Sequence, residues 1–505
     1  MNFNLSKIKK VHCIGIGGIA VSADAKFLIG IGKTVTGSDA FDSEIVREVK
    51  KKGAIVYIGH NASNIDKYAD LVIYSPAVPF ENVERAKARK LGIREMSHTE
   101  FLGYLSRQMK TVAISGTNGK STTTAMLGLI FEKAGVDPTV IVGSKVPGFE
   151  DGNLKLSSKF KVQSSKLNKD DIFVVEGCEY KAGMLELNPE IIVLTNIEED
   201  HLDYYKNLKD IKRVFRKYVK KVERGGAVIY NLDDRNSVSI LRQFRGKKIW
   251  YGVEKELRIK NQELSNKKLG AELRSKNYEL RKRIVARDLH IKNQKQIFTI
   301  FRDNEKLGEI RLQVPGMFNV YNALAAATAA FELGVEFKII KKALEEFKGI
   351  WRRFEIVGDY NGAVIISDYA HHPTAIRGTI QAAREVYPKR RIIAVFQPHS
   401  HNRTRKLFTE FVESFHDADL VILSEVYDVE GRESLNDRVS SLKLAEAIKE
   451  RKNNCRREAT RCLYRSGEVW YAKNLEKTGQ ILRKNIRRND VVLLMGAGDI
   501  YKLKV

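Results

Sequence analysis

Short β-rich runs alternate with helical stretches along almost the whole chain, which restricts it to parallel α/β architecture. The runs fall into three series, each opening on a strand. Val11–Ile16, Thr34–Thr36, Ile55–Ile58 and Leu71–Tyr74 form the first. Thr111–Ser115, Ile172–Val175, Ile191–Leu194 and Ala227–Tyr230 form the second; Val364–Ile366, Ile392–Phe396, Leu420–Leu423 and Val491–Met495 form the third. Charged or polar segments near 105–110 and 345–355 separate them. At roughly 150 residues per domain, 505 residues predict about three domains. Residues 254–311 differ, with 16 Lys/Arg against 9 Asp/Glu. Fragments such as Ile297–Phe301 suggest an antiparallel layer elaborating the middle domain.

With 43% hydrophobic and 30% charged residues, the composition is that of a globular protein and excludes disordered and fibrous classes. The balance of 88 basic and 62 acidic residues gives +26, a field that favours anionic partners without naming one. Four cysteines (Cys13, Cys178, Cys455, Cys462) match no metal spacing and read as reduced thiols of a cytoplasmic protein. Lys7, Lys9 and Lys10 before an apolar stretch loosely mimic a signal peptide. Three glycines break that stretch, so a strand, turn and helix explain it better. No run of 18 apolar residues occurs, so no membrane insertion is expected.

Two glycine loops carry the chemistry. Gly15-Ile16-Gly17-Gly18-Ile19-Ala20 follows the first strand and fits G-x-G-x-x-G/A, a turn that brings a diphosphate to a helix N-terminus. Ser38 and Asp39, after the second strand, stand where a ribose hydroxyl is held. Alone, this pattern indicates a dinucleotide or a UDP-like ligand. The second loop, Gly116-Thr117-Asn118-Gly119-Lys120-Ser121-Thr122, lies between a strand and a helix. Its backbone N–H groups would cradle phosphates, Lys120 would neutralise β/γ oxygens, and Ser121 could ligate Mg²⁺. Position 114 is Ile, so the loop is a shortened form of the usual phosphate loop. Glu176, Asp200 and His201 follow apolar strands and point towards the same crevice. Beside a phosphate loop, a carboxylate and an imidazole suggest a second divalent-cation site.

This loop, Glu176 to Tyr205, and Trp351-Arg352-Arg353-Phe354-Glu355 together resemble the Mur ligases, which build the peptide of the bacterial cell-wall precursor. Asp368-Tyr369-Ala370-His371-His372-Pro373, Phe396-Gln397-Pro398-His399 with Arg403, and Met495-Gly496-Ala497-Gly498-Asp499-Ile500 narrow the resemblance. They match the member that joins L-alanine to UDP-N-acetylmuramate. The resemblance spans essentially the whole chain and is weakest between 254 and 311.

It implies a Rossmann-like UDP-binding domain over 1–109, a central P-loop ATPase-type α/β domain over 110–350 and a Rossmann-like C-terminal α/β domain over 351–505. It implies ATP and Mg²⁺, with Gly116, Thr117, Asn118, Gly119, Lys120, Ser121 and Thr122 at the nucleotide and Asn319 and Asn322 near the adenine. Ser121, Glu176 and His201 take the metal positions. Arg353 reaches the phosphates from the third domain, so Lys120, Glu176, His201 and Arg353 form the expected catalytic set. Gly15, Gly17, Gly18, Ser38 and Asp39 fall to the UDP part, and His372, His399 and Arg403 to the muramoyl carboxylate and amino acid.

Asn118 stands where this member usually has His, Ser121 where it has Thr, and Phe318 where it has His before the first adenine-side asparagine. The usual acidic pair after Glu176 appears as Cys178-Glu179. The expected partners are the two small-molecule substrates, with no specific nucleic acid, in a monomer or homodimer.

Other readings are a ligase attaching a preformed tripeptide, a ligase adding D-glutamate, nucleic-acid binding and a non-catalytic UDP-binding regulator. For nucleic acid, 205–224 holds 9 basic against 2 acidic residues and 449–488 holds 13 against 4. Those charges follow helical spacing and lack interleaved aromatics for base stacking.

Overall fold

The computed structural model describes residues 3–162, 167–254, 283–427, 439–457 and 467–504. Three sheets account for the three series. The first contains β1 (Lys10–Ile14), β2 (Thr34–Asp39), β3 (Ile55–Ile58), β4 (Leu71–Tyr74) and β5 (Arg94–Ser97), all parallel in the order β3-β2-β1-β4-β5.

The middle sheet comprises β6 (Lys110–Ser115), β7 (Thr139–Ile141), β8 (Leu154–Lys155), β9 (Ile172–Gly177), β10 (Ile191–Leu194), β11 (Ala227–Asn231), β12 (Lys247–Val253), β13 (Arg283–Lys292), β14 (Lys295–Arg302) and β15 (Glu305–Leu312). Its order is β15-β14-β13-β12-β11-β10-β6-β9-β7-β8. Strands β13, β14 and β15 pair antiparallel, so the basic segment is an antiparallel extension of this sheet over 283–312. Residues 255–282 lie outside the described residues.

The third sheet holds β16 (Glu355–Tyr360), β17 (Ala363–Asp368), β18 (Ile392–Phe396), β19 (Leu420–Ser424), β20 (Glu468–Ala472) and β21 (Val491–Met495), ordered β16-β17-β21-β18-β19-β20.

The apolar runs read from the sequence become strands because sheets covered on both faces demand continuous Val/Ile/Leu. β3, β5, β8, β15, β16 and β20 stand at sheet edges, where one flank is open, and polar residues intrude in all of them but β3. In β20, Trp470 is 43% exposed. That mixed pattern hides edge strands from an apolar-run reading.

Two buried helices pack on the middle sheet, Lys120–Lys133 and Met317–Glu332. The second owes its close approach to Ala323, Ala325, Ala326, Ala327, Ala329 and Ala330, all fully buried. Large side chains such as Phe131 and Phe298 fill the same core. Each such apolar side chain contributes roughly 1.5–3 kcal/mol on burial.

Candidate active site

The middle-sheet order sets the site. β6 lies between β10 and β9, with Ser115 level with Leu194 and Ile114 level with Glu176. The loop after β6 therefore emerges between the ends of its two neighbours. Thr195 Oγ1 donates to Asn118 O at 2.7 Å, while the Asn196 side chain accepts from Asn118 N–H and donates to Asn118 O, both at 3.0 Å. With the Thr117 N–H on Asn196 O at 2.9 Å, these bonds clamp the loop and leave the first-turn amides of the helix that follows, at Lys120, Ser121 and Thr122, without intrahelical partners. Gly119 has φ +86° and caps the helix Lys120–Lys133. A Cβ there would stand 2.3 Å from Asn322 Oδ1, so only glycine fits.

Lys120 Nζ donates to Gly116 O (2.6 Å), Thr117 O (3.0 Å) and Glu179 Oε1 (3.0 Å). Burial alone would lower its pKa, but Glu179 outweighs that and raises it, so the ammonium persists. Glu179 is 3% exposed and also lies 3.5 Å from His201 Nε2. Glu176 takes the Gly143 N–H and a hydrogen bond from Ser121, and burial raises its pKa. Loss of solvation among the packed groups around it, with Glu179 beside it, pushes the Cys178 thiol up to about 12, so it stays protonated.

Ser121 and Glu176 thus stand together as hard oxygen donors, which suits Mg²⁺ completed by phosphate and water. His201 faces Glu179 instead, and among the described residues no three His, Cys, Asp or Glu side chains converge into a cage.

Beyond His201 the charges continue into the third domain. Arg403 Nη2 pairs with Asp200 Oδ1 at 2.8 Å, and its Nη1 donates to His399 O at 3.4 Å. Burial would raise the Asp200 pKa, but Arg403 and the nearby imidazoles hold it far below the usual carboxylate range. His372 binds Glu199 O at 3.0 Å and lies 3.4 Å from Glu198. The ring of His399 stacks on Tyr427 at 5.5 Å. His372 and Arg403 are therefore drawn to the segment that carries Asp200 and His201, while His399 meets Arg403 through its carbonyl and Tyr427 through its ring.

A cavity of about 470 Å³ opens between the middle and third domains, lined by Asn118, Ser121, Asn322, Phe318, Arg353 and Asp368 among others. Asn319 and Asn322 are buried and bonded to each other at 3.2 Å, with Asn319 also donating to Pro315 O at 2.7 Å. Phe318 packs against the third-domain core beside Gly378, where an added Cβ would meet its ring at 3.3 Å. Phenylalanine at this position therefore forms an apolar interdomain contact. Asp368 accepts the Phe354 and Ala370 N–H groups, both at 2.8 Å, and so fixes the turn that bears Arg353.

Gly15, Gly17, Gly18, Ser38 and Asp39 form a separate cluster at the ends of β1 and β2. Asp39 Oδ2 accepts the Gly17 N–H at 2.8 Å, bracing the turn. The Ser38 hydroxyl is fully buried and donates to Glu84 at 2.5 Å, which turns it away from solvent.

Sequence reasoning assigned no role to Glu179, Thr195, Asn196 or Asp368, and offered Asp200 as a crevice carboxylate beside a cation rather than as the partner of Arg403. Glu179, Asp200 and Asp368 lay inside strings already singled out, and Asn196 stands two residues past β10, the position from which crevice ligands usually come.

Family models match the chain along most of its length. The first sheet region matches the Mur ligase family, catalytic domain, over residues 10–110. Residues 114–330 match the Mur ligase middle domain, and 352–498 the Mur ligase glutamate ligase domain. A UDP-N-acetylmuramate--L-alanine ligase of Persephonella marina is 39% identical over 98% of this chain and 96% of its own. One of Acetivibrio thermocellus is 38% identical over 99% and 95%. The crystal structure of UDP-N-acetylmuramate-alanine ligase MurC from Thermotoga maritima superposes with a TM-score of 0.75 at 26% identity, covering 98% of this chain and 96% of that one. A murein peptide ligase from Psychrobacter arcticus shares the fold, with a TM-score of 0.65 at 23% identity over 98% and 97%. Three α/β sheets in this order, family models matched over most of the chain and relatives at this identity over nearly its full length place the chain in the Mur ligase family.

Proposed function

We propose that the protein joins L-alanine to the carboxylate of UDP-N-acetylmuramate using ATP, a step in peptidoglycan precursor synthesis. The observation that carries this reading is convergence: Asn118, Gly119, Ser121 and Thr122 of the glycine loop and Arg353 of the third domain line one cavity. The relatives' shared name supplies the substrates, and the tripeptide, D-glutamate and nucleic-acid readings are not favoured.

In this reading 1–109 holds the UDP part at Gly15, Gly17 and Gly18, 110–350 holds ATP, and 351–505 presents the amino acid through His372, His399 and Arg403. The muramoyl carboxylate attacks the γ-phosphorus, giving an acyl phosphate and ADP; the alanine amine then displaces phosphate from the acyl carbon. Lys120 and Arg353 neutralise the charge that accumulates on the transferring group, and the amides at the start of the helix Lys120–Lys133 hold it in line. Mg²⁺ held by Ser121, Glu176 and the phosphates, with a second ion near His201, would add charge neutralisation. Closure of the third domain onto the middle one would keep water from the acyl phosphate. Among the described residues no helix is long and apolar enough to cross a membrane. The proposed setting is the cytoplasm, as a monomer or homodimer.

ADP release with UDP-N-acetylmuramate and L-alanine, D-glutamate or a tripeptide tests the reading. Release should require L-alanine and should vanish in Lys120→Ala while UDP-N-acetylmuramate still binds. Turnover with D-glutamate alone, or normal turnover without Lys120, would sink it.

A further inference from the structure

The segment 142–153, between β7 and β8, touches all three domains at once. Towards the cleft, the Gly143 N–H donates to Glu176 Oε1. Ser144 Oγ donates to Trp351 O at 3.0 Å, and the Trp351 N–H donates to Lys145 O at 2.9 Å. Trp351 lies two residues before Arg353, and Lys145 Nζ sits 5.3 Å over its ring. Towards the first domain, Lys145 Nζ bonds Glu44 at 2.8 Å and Glu48 at 2.7 Å. Lys26 Nζ reaches the far end of the same segment, at Asp151 O (2.8 Å) and Asn153 Oδ1 (2.9 Å), and also holds Glu48 at 3.3 Å. Asn153 Nδ2 donates to Ile19 O at 2.6 Å.

The two first-domain helices gripped here, Ile19–Gly30 and Glu44–Lys51, are those that meet the Gly15–Gly18 turn. Gly18 caps the first, and Val46 of the second lies 2.7 Å from the position of a Cβ on Gly17. A diphosphate seated on that turn therefore bears on the helix holding Glu44 and Glu48. Lys145 joins that helix to the strand of chain leading to Arg353. Its side chain is 20% exposed, so the pair with Glu48 is partly shielded from water and more directional than a surface contact.

We propose that Lys145 is a positioning residue that couples occupancy of the UDP-sugar site to the placement of Arg353 and Glu176 at the ATP phosphates. This rests on the functional reading above. Cement between domains would stabilise the fold without linking the two ligands. Coupling makes each ligand raise the affinity of the other by the same factor.

The experiment is calorimetric titration of UDP-N-acetylmuramate and of a non-hydrolysable ATP analogue with magnesium, each alone and in the presence of the other. In the wild type each ligand should tighten the other several-fold. In Lys145→Met that factor should fall to about one while each ligand alone binds within twofold of wild type, and Lys145→Arg should restore most of it. The pair Glu44→Gln and Glu48→Gln leaves the Trp351 contacts in place and should lose the factor too; it decides the matter if Lys145→Met does not fold. An undiminished factor in the Gln pair, or in a folded Lys145→Met, overturns the proposal. So does a wild type that binds both ligands independently, which leaves the functional reading standing. A wild type that binds no UDP-N-acetylmuramate overturns both.

Discussion

Replacing Gly119 by Ala adds one methyl group where the phosphate loop enters its helix. At φ +86° an L-residue with a Cβ costs roughly 1–2 kcal/mol. The new Cβ would also stand 2.3 Å from Asn322 Oδ1, well inside van der Waals contact. The Asn322 amide must then rotate, giving up its contacts with Thr123 Oγ1 (3.3 Å) and Asn319 Oδ1 (3.2 Å). Each such buried hydrogen bond is worth about 0.5–1.5 kcal/mol, so the binding conformation of the loop becomes roughly 2–5 kcal/mol less favourable. At 1.4 kcal/mol per tenfold, affinity for a non-hydrolysable ATP analogue should fall at least roughly 30-fold. Calorimetry measures it, with UDP-N-acetylmuramate binding as the unaffected control. Gly135→Ala separates the two costs, since Gly135 has φ +73° with nothing within 4 Å of an added Cβ. It should lose about 1–2 kcal/mol of stability and no nucleotide affinity. Gly119→Ala binding the analogue within threefold of wild type would refute the reasoning.

Two further outcomes follow from the charged chain and the linker. The Asp200 pKa is held low in the fold, so its contribution is present above the ordinary carboxylate pKa of about 3.9 and fades as pH falls through the lower folded value. Arg403→Met strands that buried carboxylate and should cost about 3 kcal/mol at pH 7, with the gap to wild type closing towards pH 4 as Asp200 of the variant, raised by burial once the arginine is gone, takes up a proton. Urea midpoints across that range test it, and a gap independent of pH would contradict it. Arg352 is 4% exposed, donates to Gly496 and Gly498 carbonyls, and lies 4.3 Å from the Tyr501 ring centroid. Arg352→Met should lower kcat at least about tenfold through its neighbour Arg353, with UDP-N-acetylmuramate affinity unchanged; an unchanged kcat would remove that role.

Much of the fold was legible because a covered parallel strand must be apolar along its whole length. Ile191–Leu194 and Val491–Met495 announce themselves in this way. Edge strands such as Arg94–Ser97 and Glu468–Ala472 did not, because an open flank relaxes that demand. The phosphate loop was legible because its chemistry is local: glycines, a lysine and hydroxyls occupy consecutive positions of one turn. Glu179 was visible as a residue but not as a partner of Lys120, 59 positions away, since nothing local records that pairing. The same holds for Asp200 with Arg403, 203 positions apart, and for Lys145 with Glu44 and Glu48.

The +26 charge shows the division most plainly. Sequence alone fixed the excess and the family of anionic ligands it suits. Only the tertiary structure decided which cations are committed: Lys120, Arg352, Arg403 and Lys145 are each tied to carboxylates or carbonyls by the packing of separate elements. Composition is additive along a chain, whereas an ion pair depends on the positions of two groups in space. Strand identity and loop chemistry could therefore be read from neighbouring residues, while the wiring of the site required the fold.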